Sequence, residues 1–507
     1  MQLEDATNIG KILYQERSKK NILQEQIFEG MYSQSKISKL ENGFAVPDKL
    51  LMDISLQRLG RCSDTLEAIM SLKEYRMFDI RETLKKHFYP GDYERDKTLL
   101  QEYRTWKISD EPIHAQFLET YTALNEYRVH KDADRCQKEL ETALEITFPQ
   151  WRKLDFIQFS LCGQELHLLI LIAFFILEDS RNKKNKKLAK HIQKNKDYAV
   201  LLLNKTADYI EKYCCEEEKV KYFPQCMWLL AVYWKQQNNW NNVEECAHRG
   251  LECAAECGAL PLLAKLLELV IESRDFLLGQ WEEKHALCCQ LNSLKEVLSR
   301  YGKWVLSLDD LALLHYVCHE DDISLDFEIL RDIRKNRKIP QDKLKSCTQT
   351  TISRIECAKQ KPFPASFIAI TKELGVTKPY YGSRVMSDNY DLYELAHWRN
   401  QASFNQEWEK EAELLNQLEA SLDMTIPINK QYIETCRLEE KKHRGEIEPE
   451  EGIRQLEEIL RYTMSDYQEG KLRIPSRHEF VILNMMAGFM RKSGQMEKAV
   501  KLRESRS

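Results

Sequence analysis

Gln34-Ser35-Lys36-Ile37-Ser38-Lys39-Leu40-Glu41-Asn42-Gly43 decides how this chain is read. Ile37 and Leu40 are spaced to point inward from successive turns, and the remaining side chains are polar. A short helix with an outward polar face is therefore expected. Asn42-Gly43 ends it with a pair suited to a left-handed helix terminus. Just upstream, Ser33 is placed to cap the helix with its hydroxyl. Gly30 falls where a tight helix-to-helix turn needs a positive φ. Gln24 opens another short helix, with Ile27 and Phe28 on its apolar face, and Asn21 interrupts a first amphipathic pattern carried by Ile9, Ile12 and Leu13. Residues 9–60 read as five short helices.

Gln24 together with Ser35-Lys36-Ile37-Ser38-Lys39-Leu40-Glu41-Asn42-Gly43 resembles the XRE, or lambda-repressor-like, helix-turn-helix family over residues 9–60. The resemblance implies that helix 34–42 enters the major groove of double-stranded DNA with its N-terminal residues toward base edges. Carried over by position, Gln34, Ser35 and Lys39 face bases, Lys36 belongs to the same DNA-binding set, and Gln24 and Asn42 contact phosphates. Side-chain chemistry agrees, since Gln pairs bidentately with adenine and Lys reaches guanine or phosphate. Residues 9–60 hold eight Lys/Arg and six Asp/Glu, a local charge of +2.

The pattern recurs. Ile37-Ser38-Lys39-Leu40-Glu41 returns as Ile352-Ser353-Arg354-Ile355-Glu356, an offset of 315 that also relates Pro47 to Pro362, Leu59-Gly60 to Leu374-Gly375 and Tyr75 to Tyr390. Leu13, Arg17 and Gln24 match Leu330, Arg334 and Gln341 at an offset of 317. Further on, Leu140-Glu141 resembles Leu456-Glu457, and Glu165-Leu166 resembles Glu479-Phe480. Two tandem units are expected: a helix-turn-helix over 1–65 with helical repeats over 66–310, then a second, degenerate helix-turn-helix over 320–382 with a shorter repeat segment over 383–507. The second unit has no counterpart of residues 195–310. In its candidate recognition helix, Gln349 to Glu356, the possible DNA contacts are Gln341, Gln349, Thr350 and Arg354. The closing Asn-Gly has become Cys357-Ala358, yet residues 325–375 carry eleven Lys/Arg against six Asp/Glu. Two readings stay open for this copy, a second DNA reader or a domain kept for packing or dimerisation.

From Glu74 onward helix follows helix. Trp228-Leu229-Leu230-Ala231-Val232-Tyr233-Trp234, then Val243, Ala247 and Gly250-Leu251, sets large residues on one helix against small ones on its partner. A tetratricopeptide hairpin requires that contrast. Gly494-Gln495-Met496-Glu497-Lys498-Ala499 resembles the turn and second helix of another such repeat. The combination is similar to the PlcR and Rgg group of peptide-sensing, quorum-sensing regulators. That similarity implies a short signalling peptide bound in the concavity of the repeats, and a dimer presenting two DNA-binding heads. Asn204, Asn238, Asn241 and Asn242 are the candidate clamps for peptide backbone, with loop or cap roles as the alternative. The duplication raises a further possibility, an intramolecular pseudo-dimer in place of a homodimer.

Length and composition set the outer bounds. The chain has 507 residues, too many for one compact core, and its 43% hydrophobic and 31% charged content is that of a globular protein. With 17 Gly and 13 Pro, long helices on short loops are expected, so the fold class is all-α. The net charge of −5 means that any DNA-binding surface must be local. The N-terminus shows no secretory signal pattern, and the longest apolar run, Leu166 to Leu177, is too short to span a membrane, for which about 20 residues are needed. A cytoplasmic protein without membrane contact is expected. Its cysteines, including Cys214-Cys215, Cys246, Cys253, Cys257 and Cys288-Cys289, read as reduced core residues. His315, Cys318 and His319 before Glu320-Asp321-Asp322 form a possible metal face, but a capped helix end explains them better, and no metal or cofactor is expected. The basic run Arg181 to Lys187 reads as a solvated loop. No phosphate-binding loop, dinucleotide motif, HExxH or nucleophile elbow occurs, so enzymatic activity is not expected. Transcription regulation by DNA binding is the expected function. A protein-interaction scaffold with vestigial heads, or a constitutive repressor whose repeats only dimerise, are the alternatives.

Overall fold

The computed structural model describes residues 9–86, 93–106, 111–156, 159–182, 189–257, 260–279, 282–301, 309–315, 322–336, 338–374, 381–464 and 476–504. The class is all-α. A first head holds α1 (Ile9–Lys19), α2 (Gln24–Phe28), α3 (Gln34–Glu41) and α4 (Lys49–Arg58). These are four helices where five were expected, because Gly43 turns the chain at φ +74° and Asp48 starts α4 by accepting the N–H groups of Leu50 and Leu51. Gly30 has the expected positive φ of +72°. Ser33 occupies the N-cap position of α3, but its hydroxyl makes no capping bond, which corrects the expected role.

The segment expected to hold the first helical repeats comprises α5 (Leu72–Lys86), α6 (Tyr93–Arg104), α7 (Pro112–His130), α8 (Ala133–Thr147), α9 (Gly163–Asn182), α10 (Ala189–Tyr213), α11 (Glu216–Gln236), α12 (Trp240–Cys257), α13 (Leu260–Leu278), α14 (Lys284–Tyr301) and the short α15 (Asp310–His315). The apolar run 166–177 lies in α9, and all of it except His167 is buried. No described helix is long and apolar enough to cross a membrane. Small residues sit where helices cross: a Cβ on Gly250 of α12 would lie 2.8 Å from Met227 Cβ of α11.

A second head follows as α16 (Asp326–Asn336), α17 (Gln349–Glu356) and α18 (Pro364–Glu373), with a three-residue helical turn Gln341–Lys343 at the place of α2. Then come α19 (Tyr390–Phe404), α20 (Trp408–Ser421), α21 (Pro427–Arg444), α22 (Pro449–Leu460), α23 (Arg477–Lys492) and α24 (Met496–Glu504).

Two polar networks occur once in each unit. In the first head Arg17 pairs with Glu41 at 2.9 Å and donates to the Ile22 carbonyl, while the Gln24 amide donates to Glu41 at 2.5 Å. In the second head Arg334 pairs with Glu356 at 2.7 Å and donates to the Ile339 carbonyl, while Gln341 donates to Glu356 at 2.7 Å. Deeper in the repeats, Gln116 donates to Thr147, whose hydroxyl meets Glu165. Gln431, Thr463 and Glu479 repeat that chain of contacts.

The expectation of helices alone omits one feature, a three-stranded sheet. β1 (Glu67–Met70) runs parallel to β2 (Asp322–Leu325) and antiparallel to β3 (Tyr381–Gly382). Glu67 faces Gly382, its own counterpart at offset 315. Equivalent residues paired in antiparallel strands are what a local twofold axis produces. One apolar core continues across this junction and includes Ile37 and Leu40 of the first head, Ile352 and Ile355 of the second, and Tyr390. Polar ties reinforce it: Arg61 reaches Glu16 and Glu394, Lys19 donates to Asn389, and the Tyr381 hydroxyl donates to the Pro47 carbonyl.

The side chains of thirteen cysteines are described, and these form no disulfide with one another. Cys253 is buried as expected, whereas Cys289 is exposed because it lies on the outer side of α14.

Candidate nucleic-acid interface

Ile27, Phe28, Met31, Ile37 and Leu40 are buried beneath α2 and α3 and hold the outer face of α3 toward solvent. Gln34, Ser35, Lys39 and Asn42 are exposed, and Lys39 makes no ion pair among the described residues. Asn42 donates its amide to the Ser38 carbonyl, closing the helix end. With Asn42, three of the six residues are committed within the chain. The Gln24 amide is spent on Glu41, and Lys36 pairs with Glu111 at 2.5 Å while lying over the Tyr32 ring.

The second head presents the same face. Ile352 and Ile355 are buried, and Gln349, Thr350 and Arg354 are exposed. Gln341 again braces the internal pair. Although partial burial opposes it, hydrogen bonds from Arg334 and Gln341 hold the Glu356 carboxyl below its usual range. Lys343, Arg354 and Lys359 have no ion-pair partner among the described residues. This head therefore offers more uncommitted positive charge beside its helix than the first.

The first head is fixed to its repeats by a buried ion pair. Arg58 of α4 pairs with Glu165 of α9 and donates to the Ile27 and Glu29 carbonyls. A Cβ on Gly30 would lie 2.6 Å from the Thr147 carbonyl oxygen, so the turn between α2 and α3 rests on the end of α8.

Asn204 is exposed on α10, Asn238 takes a left-handed conformation (φ +56°) in the α11–α12 turn, and Asn241 and Asn242 begin α12. None lines either of two cavities. One, of about 110 Å³, lies between α4 and the repeats and is lined in part by Lys49, Arg81, Phe117, Tyr121, His167 and His315. The other, of about 510 Å³, is an open groove between α11 and α13 lined by Trp228, Lys235, Lys265 and Glu272. His315 is buried with its ring 4.7 Å from that of His167. Cys318, His319 and most of the acidic run after them lie outside the described residues, as do the side chains of Arg181 to Lys187.

One constellation left no trace in sequence spacing. Asp48, Glu111 and His114 bring three donor atoms within 4.8 Å of one another, although 63 residues separate the first from the second. No family model, curated protein or solved structure matches this chain.

Proposed function

We propose that this chain is a sequence-specific DNA-binding regulator of transcription, related in plan to XRE-type helix-turn-helix proteins, whose repeats adjust the DNA-binding heads. The observation that carries this reading is the exposed polar face of α3, seated on buried Ile37 and Leu40 and repeated on α17 over Ile352 and Ile355. A short helix built this way suits the major groove, where Gln, Ser, Thr, Lys and Arg read base edges or phosphates. The free cations beside α17 favour DNA contact by the second head over a purely packing role. The junction between the heads supports an intramolecular pseudo-dimer. A peptide or other ligand in the repeats would act by preferring one arrangement of heads and repeats.

The test is a mobility-shift titration on the gene's own upstream DNA at several salt concentrations. Specific retention is expected, and it is lost in the double variant Gln34→Ala/Lys39→Ala. Replacing Arg354 and Lys359 by Ala is expected to reduce the salt slope by about one for each phosphate contact removed. Equal retention of unrelated DNA by all forms would instead favour the scaffold reading.

A further inference from the structure

The joint between the first head and the repeats contains a donor set suited to an ion. His114 on α7 is 1% exposed, and its Nε2 makes no hydrogen bond. Asp48 Oδ2 lies 3.5 Å from it. Nδ1 lies 2.6 Å from the Tyr103 hydroxyl, so a tautomer with Nδ1–H donating to Tyr103 aims the Nε2 lone pair at Asp48. Such a partner on the far nitrogen is the usual support of a metal-binding imidazole. Asp48 spends only Oδ1 on capping α4, which leaves Oδ2 facing His114. Glu111, just before α7, completes the group, with all three donor atoms within 4.8 Å.

We infer that Asp48, Glu111 and His114 form a binding site for a divalent first-row transition ion of the Mn²⁺ or Fe²⁺ kind. Two carboxylates and one imidazole suit those ions better than Ca²⁺ or Mg²⁺, which take oxygen donors. Ligands sharing an ion at about 2.1 Å lie roughly 3.0–3.4 Å apart, so the 3.5 Å between His114 and Asp48 is close to that spacing, and the Glu111 donor, within 4.8 Å of both, needs only a side-chain adjustment to join them. Water completes the coordination. Glu111 now accepts from Tyr32 and Lys36. An ion on Glu111 competes with the Lys36 ammonium and releases it toward solvent on the exposed side of α3. Ion binding stands by itself; its effect on DNA affinity rests on the regulator reading above.

The test uses the full chain stripped with EDTA and titrated with MnCl₂, with free ion followed by electron paramagnetic resonance. Mn²⁺ serves because it avoids the thiols that would capture Zn²⁺. One ion per chain is expected. Asp48→Asn keeps a good helix cap and is expected to weaken binding at least tenfold, as is His114→Gln. Circular dichroism melts verify that both variants fold. No bound Mn²⁺, or binding that both variants leave unchanged, overturns the site. The titration contains no DNA, so a failure of DNA recognition does not affect its outcome.

Discussion

At the scale of single residues, the two heads differ most where their backbones agree. Gly43 and Ala358 both follow the polar-faced helix of their head in a left-handed conformation, at φ +74° and +55°. Alanine there carries a steric penalty that glycine escapes, on the order of 1 kcal/mol. Ala358→Gly is expected to raise stability by about 0.5–1 kcal/mol in urea titrations, and a loss of stability would show that the penalty is relieved in some other way. The Arg58–Glu165 pair is a stronger case, because both side chains are almost wholly enclosed. Glu165→Gln strands the guanidinium, and a cost of about 3–5 kcal/mol is expected from chemical denaturation. Buried imidazoles set the acid response. Burial pushes His167 and His478 down to about 4. The unfolded chain protonates both near 6.5, so it binds more protons between those values. Their contribution to stability is complete above about pH 6.5 and falls as pH drops toward 4. The slope is on the order of 1.4 kcal/mol per pH unit for each histidine. Melting curves from pH 7 to 4 check the sign, and His478→Gln is expected to flatten the curve.

At the scale of elements, periodicity and small-residue placement made the helices legible, and charge chemistry misdirected part of the site. Ile37 and Leu40 gave α3 its inward face, and Gly30 and Gly43 its turns, because these features depend on neighbours in sequence. Gln24 is expected on phosphate and Gln341 among the possible DNA contacts, but each amide braces an Arg–Glu pair inside its head. The signal was present as Arg17, Gln24 and Glu41 recurring as Arg334, Gln341 and Glu356, and it needed to be read as a triad. β1 could not be anticipated, since four residues whose partners lie some 255 and 315 positions away leave no local pattern. A shorter separation, 63 positions from Asp48 to Glu111, likewise hid Asp48 from Glu111 and His114. Packing also makes Gly30 more than a turn residue. Gly30→Ala adds a methyl against the Thr147 carbonyl and strains the positive φ, so α2 must move off α8. A loss of about 2 kcal/mol or more is expected, together with faster amide exchange in α2 and α3. Unchanged exchange there would mean that the head does not lean on α8.

At the scale of the whole molecule, the shared core between the heads matters more than the presence of two heads. Antiparallel pairing of Glu67 with its counterpart Gly382, the Arg61 ties to Glu16 and Glu394, and the apolar cluster spanning both heads leave little freedom for one head to swing against the other. Heads on a flexible tether accept half-sites one or two helical turns apart, because the tether takes up the difference. Heads built on one core accept one spacing. If the regulator reading holds, adding about five base pairs between half-sites carries the second onto the opposite face of the duplex and abolishes paired binding. Adding a full turn of about ten base pairs restores the face but moves the half-site by about 34 Å. A rigid pair cannot follow that displacement, so affinity is expected to fall to that of a single half-site for both insertions, with one chain per DNA by sedimentation. Recovery of full affinity at the ten-base-pair insertion would mean that the two heads separate in solution, and the junction at Glu67 and Gly382 would then be a resting contact that DNA binding breaks.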